Sequence, residues 1–591
     1  MPEVKFRDTL LALLLCAVTA AALGWTQRDL GVMRDEATYF QAGERYWGWF
    51  EELGDTIASG KGQAFSNAVI ARYWSMNNEH PVLCKVLFGI SWRALHGFDG
   101  KHPGFHPNPY PRPQSSLQLM SEISAFRLPG WLFAGLAVAL LYLFGARVES
   151  RVAGLAAAAL YITIPRVFFH GQLACFDSPI STMWLLVVYA YFRSLDSPRW
   201  GVLAGVCFGL ALATKHNAWF LPPLLVLHYL IVIWPDLSLR PLQLPRIPLV
   251  FVAMAVLGPL VFLAHWPWLW FDTWRHLKDY FGFHLHHSYY NIEYLGTNWG
   301  LPPHPISYPF GMTLYTVPTV TLLLAAAGLW VYARAPILVA ISRVIRRLRP
   351  PADDMRFRYG ARRSWLRPGQ GLDPRLGTLF LLNALFPLAL IAMPSTPIFG
   401  GTKHWLPAYP FLALLAGVAV SRLVAAVAPR RALLGVGVAL LVALPGAVNV
   451  ALTHPFGLTQ YNALAGGAAG GADKGLVRQF WGYATRQLLP WMNQHLPKKS
   501  RVYFHDTNYD SYGAYIRDGL LRPDIAYTGI EKPAIESSDH AIVLYELHFN
   551  KYDYWIWEAY GTATPVRVLD LDGVPVASLY RRPTKTPPGK P

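Results

Sequence analysis

The chain has 591 residues, of which 53% are hydrophobic, and its mean hydropathy is +0.26. One soluble core of ordinary size does not need so large an apolar share, so the composition excludes a simple soluble domain and predicts an integral membrane protein. The formal net charge of +17 comes in large part from one arginine-rich segment, so it does not indicate a soluble acidic partner, and we predict no nucleic-acid function.

Apolar stretches long enough to cross a bilayer occur about eleven times. The first begins after Lys5 and Arg7 and can also be read as a secretory signal, but we favour a retained span because the later topology is the same in both cases. The stretches lie at about 9–26, 126–146, 152–170, 179–195, 200–214, 217–234, 247–265, 311–333, 376–393, 405–423 and 432–450.

The basic residues between these stretches set the orientation. With the N-terminus in the cytoplasm, every inside segment carries Lys or Arg, as the positive-inside rule requires. The longest is a basic cytoplasmic loop at 334–375, which we expect to contact membrane lipids. The chain shows no ER-retention ending, which favours the bacterial inner (plasma) membrane.

Three large pieces then fall outside the cell: a first loop at 27–125, a second at 266–310 and a tail at 451–591. In the tail, the segments 501–506 and 541–546 read as short strands and 481–496 as an amphipathic helix that Pro490 bends or divides. We therefore predict a transmembrane catalytic domain over 1–450 and a small extracytoplasmic α/β domain over 451–591.

Several acids belong to the same outside boundary. Asp35 and Glu36 follow the first span, Glu79 lies in the first loop, and Asp177 lies between the third and fourth spans. Charges at membrane depth are costly unless they are paired, hydrated or lining a cavity, so the group indicates a shared site. Any one of these acids can instead be a helix cap or a surface charge; for Asp177, beside Ser178, the cap is an equal alternative.

Histidines mark the second outside loop at Phe283–His287. Together with Glu79, His286 is a candidate ligand for a divalent metal ion or for a phosphate. The spacing by itself also suits ordinary hydrogen-bonding imidazoles in an aromatic interfacial loop. The cysteines have no Cys-x-x-Cys spacing, which argues against a zinc ribbon or a disulfide scaffold.

The order and sidedness of four motifs resemble the GT-C glycosyltransferases, specifically the protein O-mannosyltransferase and aminoarabinose-transferase superfamily (glycosyltransferase family 39). The resemblance covers most of the membrane portion. The motifs are Asp35-Glu36, Glu79-His80-Pro81, Asp177-Ser178-Pro179 and Lys403-His404-Trp405-Leu406-Pro407. In the aminoarabinose branch a Lys follows the first-loop Glu, whereas this chain has His80 at that position. This difference weakens the inference that residue 80 binds phosphate.

The resemblance implies a multipass enzyme that transfers a sugar from a polyprenyl-phosphate donor to a protein, lipid or envelope-glycan acceptor outside the membrane. It makes Asp35 the catalytic candidate, and an inverting displacement needs a base of this kind. We place Glu36, Glu79 and Asp177 in the same catalytic group. Cations near the leaving phosphate would stabilise its charge; the candidates are His80, Lys85, Lys215, Lys403 and His404.

Two other classes of function stay open on the sequence. Intramembrane charges and many spans also suit a transporter. A non-catalytic envelope protein that binds sugar through its tail would show donor binding without transfer. The large outside loops and the one-sided acids favour sugar transfer over both.

Overall fold

The computed structural model describes residues 4–60, 63–97, 117–233, 247–348, 373–427 and 432–583, and its first part is almost entirely helical. The elements up to residue 453 are α1 Phe6–Thr26, α2 Arg34–Ser59, α3 Asn67–Trp74, α4 Leu83–Leu95, α5 Glu122–Val148, α6 Arg151–Ile162, α7 Pro165–Gly171, α8 Asp177–Ser194, α9 Pro198–Thr214, α10 Leu221–Ile233, α11 Leu249–Ala264, α12 Thr273–Leu285, β1 Ile292–Tyr294, β2 Thr297–Trp299, α13 Tyr308–Thr316, α14 Thr319–Leu348, α15 Pro374–Ala392, α16 Tyr409–Val427 and α17 Ala432–Thr453.

Each of the eleven predicted spans corresponds to helix in the structure. Among the described residues, six helices are long and apolar enough to cross a membrane, and the number rises to eight if two bent pairs each count as one span. The pairs are α6 with α7, bent by 76°, and α13 with the apolar part of α14, bent by 115°. These helices confirm the multipass membrane fold, and α9 and α11, which are apolar but shorter, are not included in that number.

Small residues let the two shorter helices pack closely. Gly201, Gly205 and Gly209 recur every fourth residue along one face of α9, and that face lies against α11. A Cβ on Gly205 would stand 2.7 Å from the backbone of Ala253, so only glycine permits this approach. Close backbone contact through small residues is a common way of joining helices in a bilayer, where the lipid offers no hydrophobic drive.

The predicted basic loop at 334–375 begins inside a helix, because α14 continues through Leu348. Residues 349–372 of that prediction lie outside the described residues, as do residues 98–116 of the predicted first loop. The remainder of the first loop is helical: α2, α3 and α4 fill most of it, and the backbones of α2 and α4 approach closely at Gly43 and Gly89.

The tail forms the predicted α/β unit. Its elements are α18 Gly467–Asp473, α19 Thr485–His495, β3 Arg501–Phe504, α20 Tyr509–Arg517, β4 Ala526–Tyr527, α21 Lys532–Glu536, β5 His540–Leu544, α22 Asn550–Tyr560, β6 Arg567–Leu571 and β7 Val574–Arg581. The five-stranded sheet has the order β4-β3-β5-β7-β6, with β3 parallel to both neighbours and β7 antiparallel to both of its own. Helix α19 is not divided at Pro490.

The tail packs on two hydrophobic clusters: one, around Tyr503 and Val543, lies within the tail between the sheet and α21 and α22, and the other is shared with the helix bundle. Buried side chains of the sheet, such as Val502 and Ile542, belong to the same apolar cluster as Phe40 of α2 and Phe126 of α5. Ion pairs reinforce the contact, since Arg517 Nε lies 2.6 Å from Glu122 Oε2 at the start of α5. The α/β unit is therefore docked directly on the end of the helix bundle that carries the predicted acids, which we call the acidic end.

Candidate active site

Asp35 and Glu36 are adjacent in the first turn of α2 but face different surroundings. Successive residues of a helix point about 100° apart, so two neighbouring acids do not share an environment. The Asp35 side chain is 31% exposed, whereas the Glu36 side chain is fully buried. The structure thus leaves Asp35 open to a reactant and encloses Glu36.

Glu36 is fully engaged by hydrogen-bond donors, unlike its neighbour Asp35 in the predicted catalytic group. Arg127 reaches it through Nη2 at 2.6 Å and Nε at 2.9 Å, and the backbone N–H groups of Met33 and Ala174 donate at 3.0 and 2.8 Å. A carboxylate with four donors and no exposed surface cannot touch a substrate. Glu36 instead ties the start of α2 to α5 and to the segment before α8.

Arg127 is a residue that the sequence analysis missed. Its guanidinium is fully buried and also donates to three backbone carbonyls between α1 and α2, those of Gln27, Leu30 and Gly31. The sequence did contain an indication of this role, because an arginine at the edge of the apolar stretch 126–146 is expected to be paired or functional. Sequence spacing could not name its partner, which lies 91 residues earlier.

Asp177 and two of the predicted lysines lie close to Asp35. Lys403 Nζ is 3.5 Å from Asp35 Oδ2, and Lys215 Nζ donates to Asp177 Oδ1 at 2.6 Å. The Lys403 ammonium is nearly enclosed and sits over the ring of Trp481 at 3.9 Å. Burial lowers the pKa of Lys403, and the nearby carboxylates of Asp35 and Asp177 oppose that shift.

Tyr39 shows that the three acids share one neighbourhood. Its phenol is buried one turn after Asp35, and burial raises the pKa of Tyr39 well above its ordinary value. The negative charges that add to this rise come from the carboxylates of Asp35, Asp177 and Glu79. Three chain segments that are distant in sequence therefore converge at the acidic end.

Lys85, predicted as a phosphate ligand, has its ammonium engaged within the first loop. Its Nζ is fully buried and donates to the backbone oxygens of Asn77 and His80, at 2.6 and 3.0 Å, and to the Asn77 side chain at 3.1 Å. Burial lowers the pKa of Lys85 to about 7, against the opposing charge of Glu79. The ammonium holds the 77–80 turn, and this turn presents Glu79.

We expect Lys85→Met to destabilise the protein and to leave donor binding largely intact. A buried acceptor that loses its donor costs about 1–3 kcal/mol, so the loss of a cation shared by several acceptors should total about 3 kcal/mol or more. The melting temperature of the detergent-solubilised variant should fall clearly, with the KM for a lipid-linked sugar changed by less than about threefold. An unchanged melting temperature with a KM raised more than about tenfold would restore the phosphate-binding role.

Two of the histidines that the sequence pointed to, His80 and His284, lie close to Glu79. His286, the preferred metal candidate, is exposed and bonds through Nδ1 to the Gly282 carbonyl of its own helix. His284 lies inward: its ring is 4.0 Å from that of His216 and 5.5 Å from that of His80. Within the described ranges no group of three or more His, Cys, Asp or Glu is arranged to hold a metal ion.

Each of these partly exposed imidazoles keeps one ring nitrogen buried. His80 Nδ1, His216 Nδ1 and His284 Nε2 have no hydrogen-bond partner in the described part of the chain. Burial lowers the pKa of His284 to about 4 and that of His80 well below its ordinary value, so both rings are neutral near pH 7. Neutral imidazoles can still donate or accept one hydrogen bond each toward a ligand.

His404 has a structural task in the same region. Its Nε2 contacts both the backbone N–H and the carbonyl of Phe399, and the imidazole thereby closes the turn that precedes Lys403. Because Nε2 is occupied, only Nδ1 is left for the phosphate contact that the sequence predicted. The arrangement fixes the position of Lys403 relative to Asp35.

The tail also supplies part of the site, which the sequence did not resolve to residues. Trp481, just before α19, covers Lys403, and its carbonyl accepts the Arg34 backbone N–H at 3.2 Å. Asp506, after β3, lies 2.6 Å from Arg34 Nη1. Arg34 precedes Asp35, so the docked α/β unit holds the start of α2 from outside the bundle.

Comparisons with known proteins were made by family model, by sequence and by structure. Residues 115–268, less than half of the chain, match the family model described as "Dolichyl-phosphate-mannose-protein mannosyltransferase". The comparison with curated proteins gave no sequence match. Among solved structures, ArnT from Cupriavidus metallidurans is similar in its apo state, with 14% identity, a TM-score of 0.46, and 96% of this chain and 97% of that chain covered.

Two further solved structures give likenesses of the same order. ArnT from Cupriavidus metallidurans bound to undecaprenyl phosphate has 14% identity and a TM-score of 0.43, with 97% of this chain and 98% of that chain covered. The Archaeoglobus fulgidus oligosaccharyltransferase in the apo form has 12% identity and a TM-score of 0.43, with 94% of this chain and 71% of that chain covered. Identities and TM-scores this low carry no argument about the chemistry of this chain.

Proposed function

We propose that this chain, a membrane glycosyltransferase of the GT-C superfamily, transfers a sugar from a polyprenyl-phosphate donor to an acceptor hydroxyl at the acidic end of its helix bundle. The description of the matching family model names a donor of this class. The single observation that carries the proposal is the partly exposed carboxylate of Asp35, 3.5 Å from the nearly enclosed ammonium of Lys403. The carboxylate can take the acceptor proton as a base, and the neighbouring ammonium can stabilise the phosphate anion that the displacement releases.

In the proposed reaction, the acceptor hydroxyl gives its proton to Asp35 as its oxygen bonds to the anomeric carbon of the donor sugar. The bond between that carbon and the phosphate oxygen breaks, and the phosphate leaves with the electron pair. Attack opposite the leaving group inverts the anomeric centre in one step. General-base help of this kind contributes about 10²- to 10⁴-fold in rate.

Lys403 and Lys215 are the proposed partners of the donor phosphate. Each ammonium forms an ion pair with one carboxylate and has further donor capacity, because an ammonium has three N–H groups. The neutral rings of His80, His216 and His284 add donors beside them. Fixed donors in a water-poor site stabilise the charge that develops on the leaving phosphate without having to reorganise.

Lys403→Met should lower kcat about 100- to 1,000-fold, the usual cost of removing one well-placed donor to a developing anion. Lys403→Arg keeps the charge and should recover part of the rate. The matched control is Lys278→Met, which removes an exposed lysine of α12. A Lys403→Met enzyme that transfers sugar at the wild-type rate would remove this residue from the mechanism.

We place the reaction at the extracytoplasmic face of the bacterial inner membrane, with the N-terminus inside. The support is the distribution of Lys and Arg between the spans, which predicts this orientation. Nucleotide sugars stay in the cytoplasm, whereas a lipid carrier can present an activated sugar on the other face. Protein, lipid and envelope-glycan acceptors are all compatible with a site that opens at the membrane surface.

The function is tested by supplying the purified protein in nanodiscs with a panel of radiolabelled polyprenyl-phosphate sugars and a membrane extract. We expect label from one or more of the donors to move to an acceptor, with polyprenyl phosphate released in equal amount. The linkage of the product, read by NMR, should show the opposite anomeric configuration from the donor. No transfer from any such donor, or product with retained configuration, would contradict the proposed reaction.

A further inference from the structure

The two lysines of the proposed site are held in different ways. Lys215 Nζ donates to Asp177 Oδ1 at 2.6 Å, which is a short, charge-assisted hydrogen bond. Lys403 Nζ lies 3.5 Å from Asp35 Oδ2. That separation is longer than the distance of about 2.7–2.9 Å at which an ammonium bonds a carboxylate strongly. The Lys403 ammonium is therefore close to a carboxylate without being tightly bonded to it.

Two aromatic rings enclose the Lys403 ammonium. Its Nζ is 3.9 Å from the centre of the Trp481 ring and 4.6 Å from the centre of the Phe399 ring. A cation within about 6 Å of a ring centre is attracted by the ring face, and tryptophan attracts it most. We call Phe399 and Trp481 the aromatic pair. Phe399 comes from the segment between α15 and α16, whereas Trp481 comes from the α/β tail.

Further contacts fix the place of this ammonium. A Cβ on Gly400, whose φ is +70°, would stand 2.6 Å from Lys403 Cε, so the lysine side chain folds back over its own turn. His287 of the second outside loop stacks on Phe399, with 4.6 Å between the ring centres and 9° between the planes. The Lys403 side chain is left 4% exposed. Its position is thus set largely by contacts that need no hydrogen-bond acceptor.

Trp481 is held in an unusual backbone conformation. Its φ is +78°, in the left-handed region that bulky residues rarely adopt. Its carbonyl accepts the Arg34 N–H at 3.2 Å, and a Cβ on the following Gly482 would overlap the Asp506 carbonyl. Strained backbone persists only where the surrounding structure holds it, and it is concentrated at functional sites. The strained turn therefore indicates a function for the ring that it places over Lys403.

We propose that Trp481 is a positioning residue for Lys403, and that with Phe399 it holds the ammonium beside Asp35 without a tight ion pair. This rests on the proposed function, in which Lys403 contacts the donor phosphate and Asp35 is the base. A tight pair would occupy the Asp35 oxygen that takes the acceptor proton, and it would use an N–H group that the phosphate needs. The aromatic pair keeps both groups available. The α/β tail thereby acts on the reaction through Lys403.

The charge of Lys403 also depends on its ionisable neighbours. Burial lowers the pKa of Lys403, and the two nearby carboxylates oppose that shift. A ring face favours an ammonium over a neutral amine, so loss of the Trp481 ring should lower the pKa of Lys403 further. The titratable groups around it are Asp35 of α2, His170 of α7, Cys175, Asp177 of α8, Lys215 after α9, and His404.

The test titrates Lys403 in the full-length protein in nanodiscs. Trace acetic anhydride labels lysines across a pH series, and mass spectrometry gives the pH at which Lys403 is half reactive. We expect Trp481→Leu to lower that pH by about one unit, the effect of losing one desolvated contact between a cation and a ring. Trp481→Phe keeps a ring and should recover part of the shift.

The matched control is Trp491→Leu, the same substitution at a partly buried tryptophan of the tail. The Trp491 ring stacks on His495 of its own helix, with 4.5 Å between the ring centres. Its loss should leave the half-reactive pH of Lys403 unchanged. An equal shift in Trp491→Leu would show a general effect of loosening the tail and would overturn the inference.

Sugar transfer gives a second readout. Trp481→Leu should lower kcat about tenfold, a smaller loss than removal of the donor itself. The alkaline limb of its pH–rate profile should move to lower pH by about one unit, because Lys403 loses its proton earlier. In the Lys403→Met background, Trp481→Leu should change kcat by less than about twofold, since its effect passes through Lys403.

Two results with Trp481→Leu would overturn the inference: an unchanged half-reactive pH of Lys403, or a loss of kcat that is the same with and without Lys403. If Trp481→Leu is not recovered as folded protein, Trp481→Phe decides, and an unchanged half-reactive pH there overturns the inference as well. Failure of the proposed function looks different, because wild type would then transfer sugar from no polyprenyl-phosphate donor while the labelling of Lys403 still reports its contact with Trp481.

Discussion

Asp35→Asn is expected to lower kcat for sugar transfer about 100- to 10,000-fold, since the amide keeps the shape of the side chain but cannot take the acceptor proton at neutral pH. The KM for the donor should change little, because the proposed phosphate contacts come from Lys403 and Lys215. Initial rates with a radiolabelled polyprenyl-phosphate sugar, at saturating acceptor, measure the change.

The matched control is Asp29→Asn, which neutralises an exposed acid in the turn just before α2. It should transfer sugar at nearly the wild-type rate. Both variants should elute as wild type does in size-exclusion chromatography, because Asn has the size and shape of Asp and neither side chain is fully buried. Undiminished transfer by Asp35→Asn would defeat the assignment of Asp35 as the base.

Arg127→Met is expected to cost about 3–5 kcal/mol of stability, the usual result of removing one partner of a buried ion pair. It would leave the fully buried Glu36 carboxylate with only two backbone donors, and three carbonyls between α1 and α2 would lose the guanidinium. We expect little folded protein after detergent extraction, measured by fluorescence-detected size exclusion across a temperature ramp.

A second variant separates the charge from the packing. Glu36→Gln combined with Arg127→Met removes both charges and should be more stable than Arg127→Met alone, since no unpaired carboxylate stays buried. Arg199→Met, at an exposed arginine, serves as the control for the substitution itself. If Arg127→Met melts at the wild-type temperature, the pair does not hold the start of α2 as the geometry indicates.

The sequence predicted the class of fold because that information is local. Apolar length identifies membrane helices, and all eleven predicted stretches are helical in the structure. Strand patterning in the tail identified β3 and β5, and the five-stranded sheet confirms the small α/β unit. How many of the helices cross the membrane depends on bends and lengths, such as the 76° bend between α6 and α7, which composition does not record.

The candidate site was predictable only as a group. Sidedness and the order of the motifs placed Asp35, Asp177, Lys215 and Lys403 in one region, and the structure has them as neighbours. Which member of an adjacent pair faces a cavity depends on helix rotation and on distant partners. Sequence could therefore not separate Asp35 from Glu36.

The sequence likewise could not show which partners the predicted cations have or which tail residues reach the site. From the sequence alone, Lys85 is a candidate phosphate ligand. The structure adds that its ammonium donates to three acceptors in the 77–80 turn. His284 replaces His286 because two residues on a helix turn the side chain by about 200°, from solvent to the interior. The contribution of Trp481 depends on how the α/β unit docks, and no local pattern contains that information.

The most direct measurement is a cryo-EM structure of the Asp35→Asn variant in a nanodisc with its polyprenyl-phosphate sugar. The account predicts that the donor phosphate lies within hydrogen-bond distance of Lys403 and Lys215, with the anomeric carbon turned toward residue 35. Donor density in a groove remote from residue 35, or a phosphate that contacts neither lysine, would contradict it.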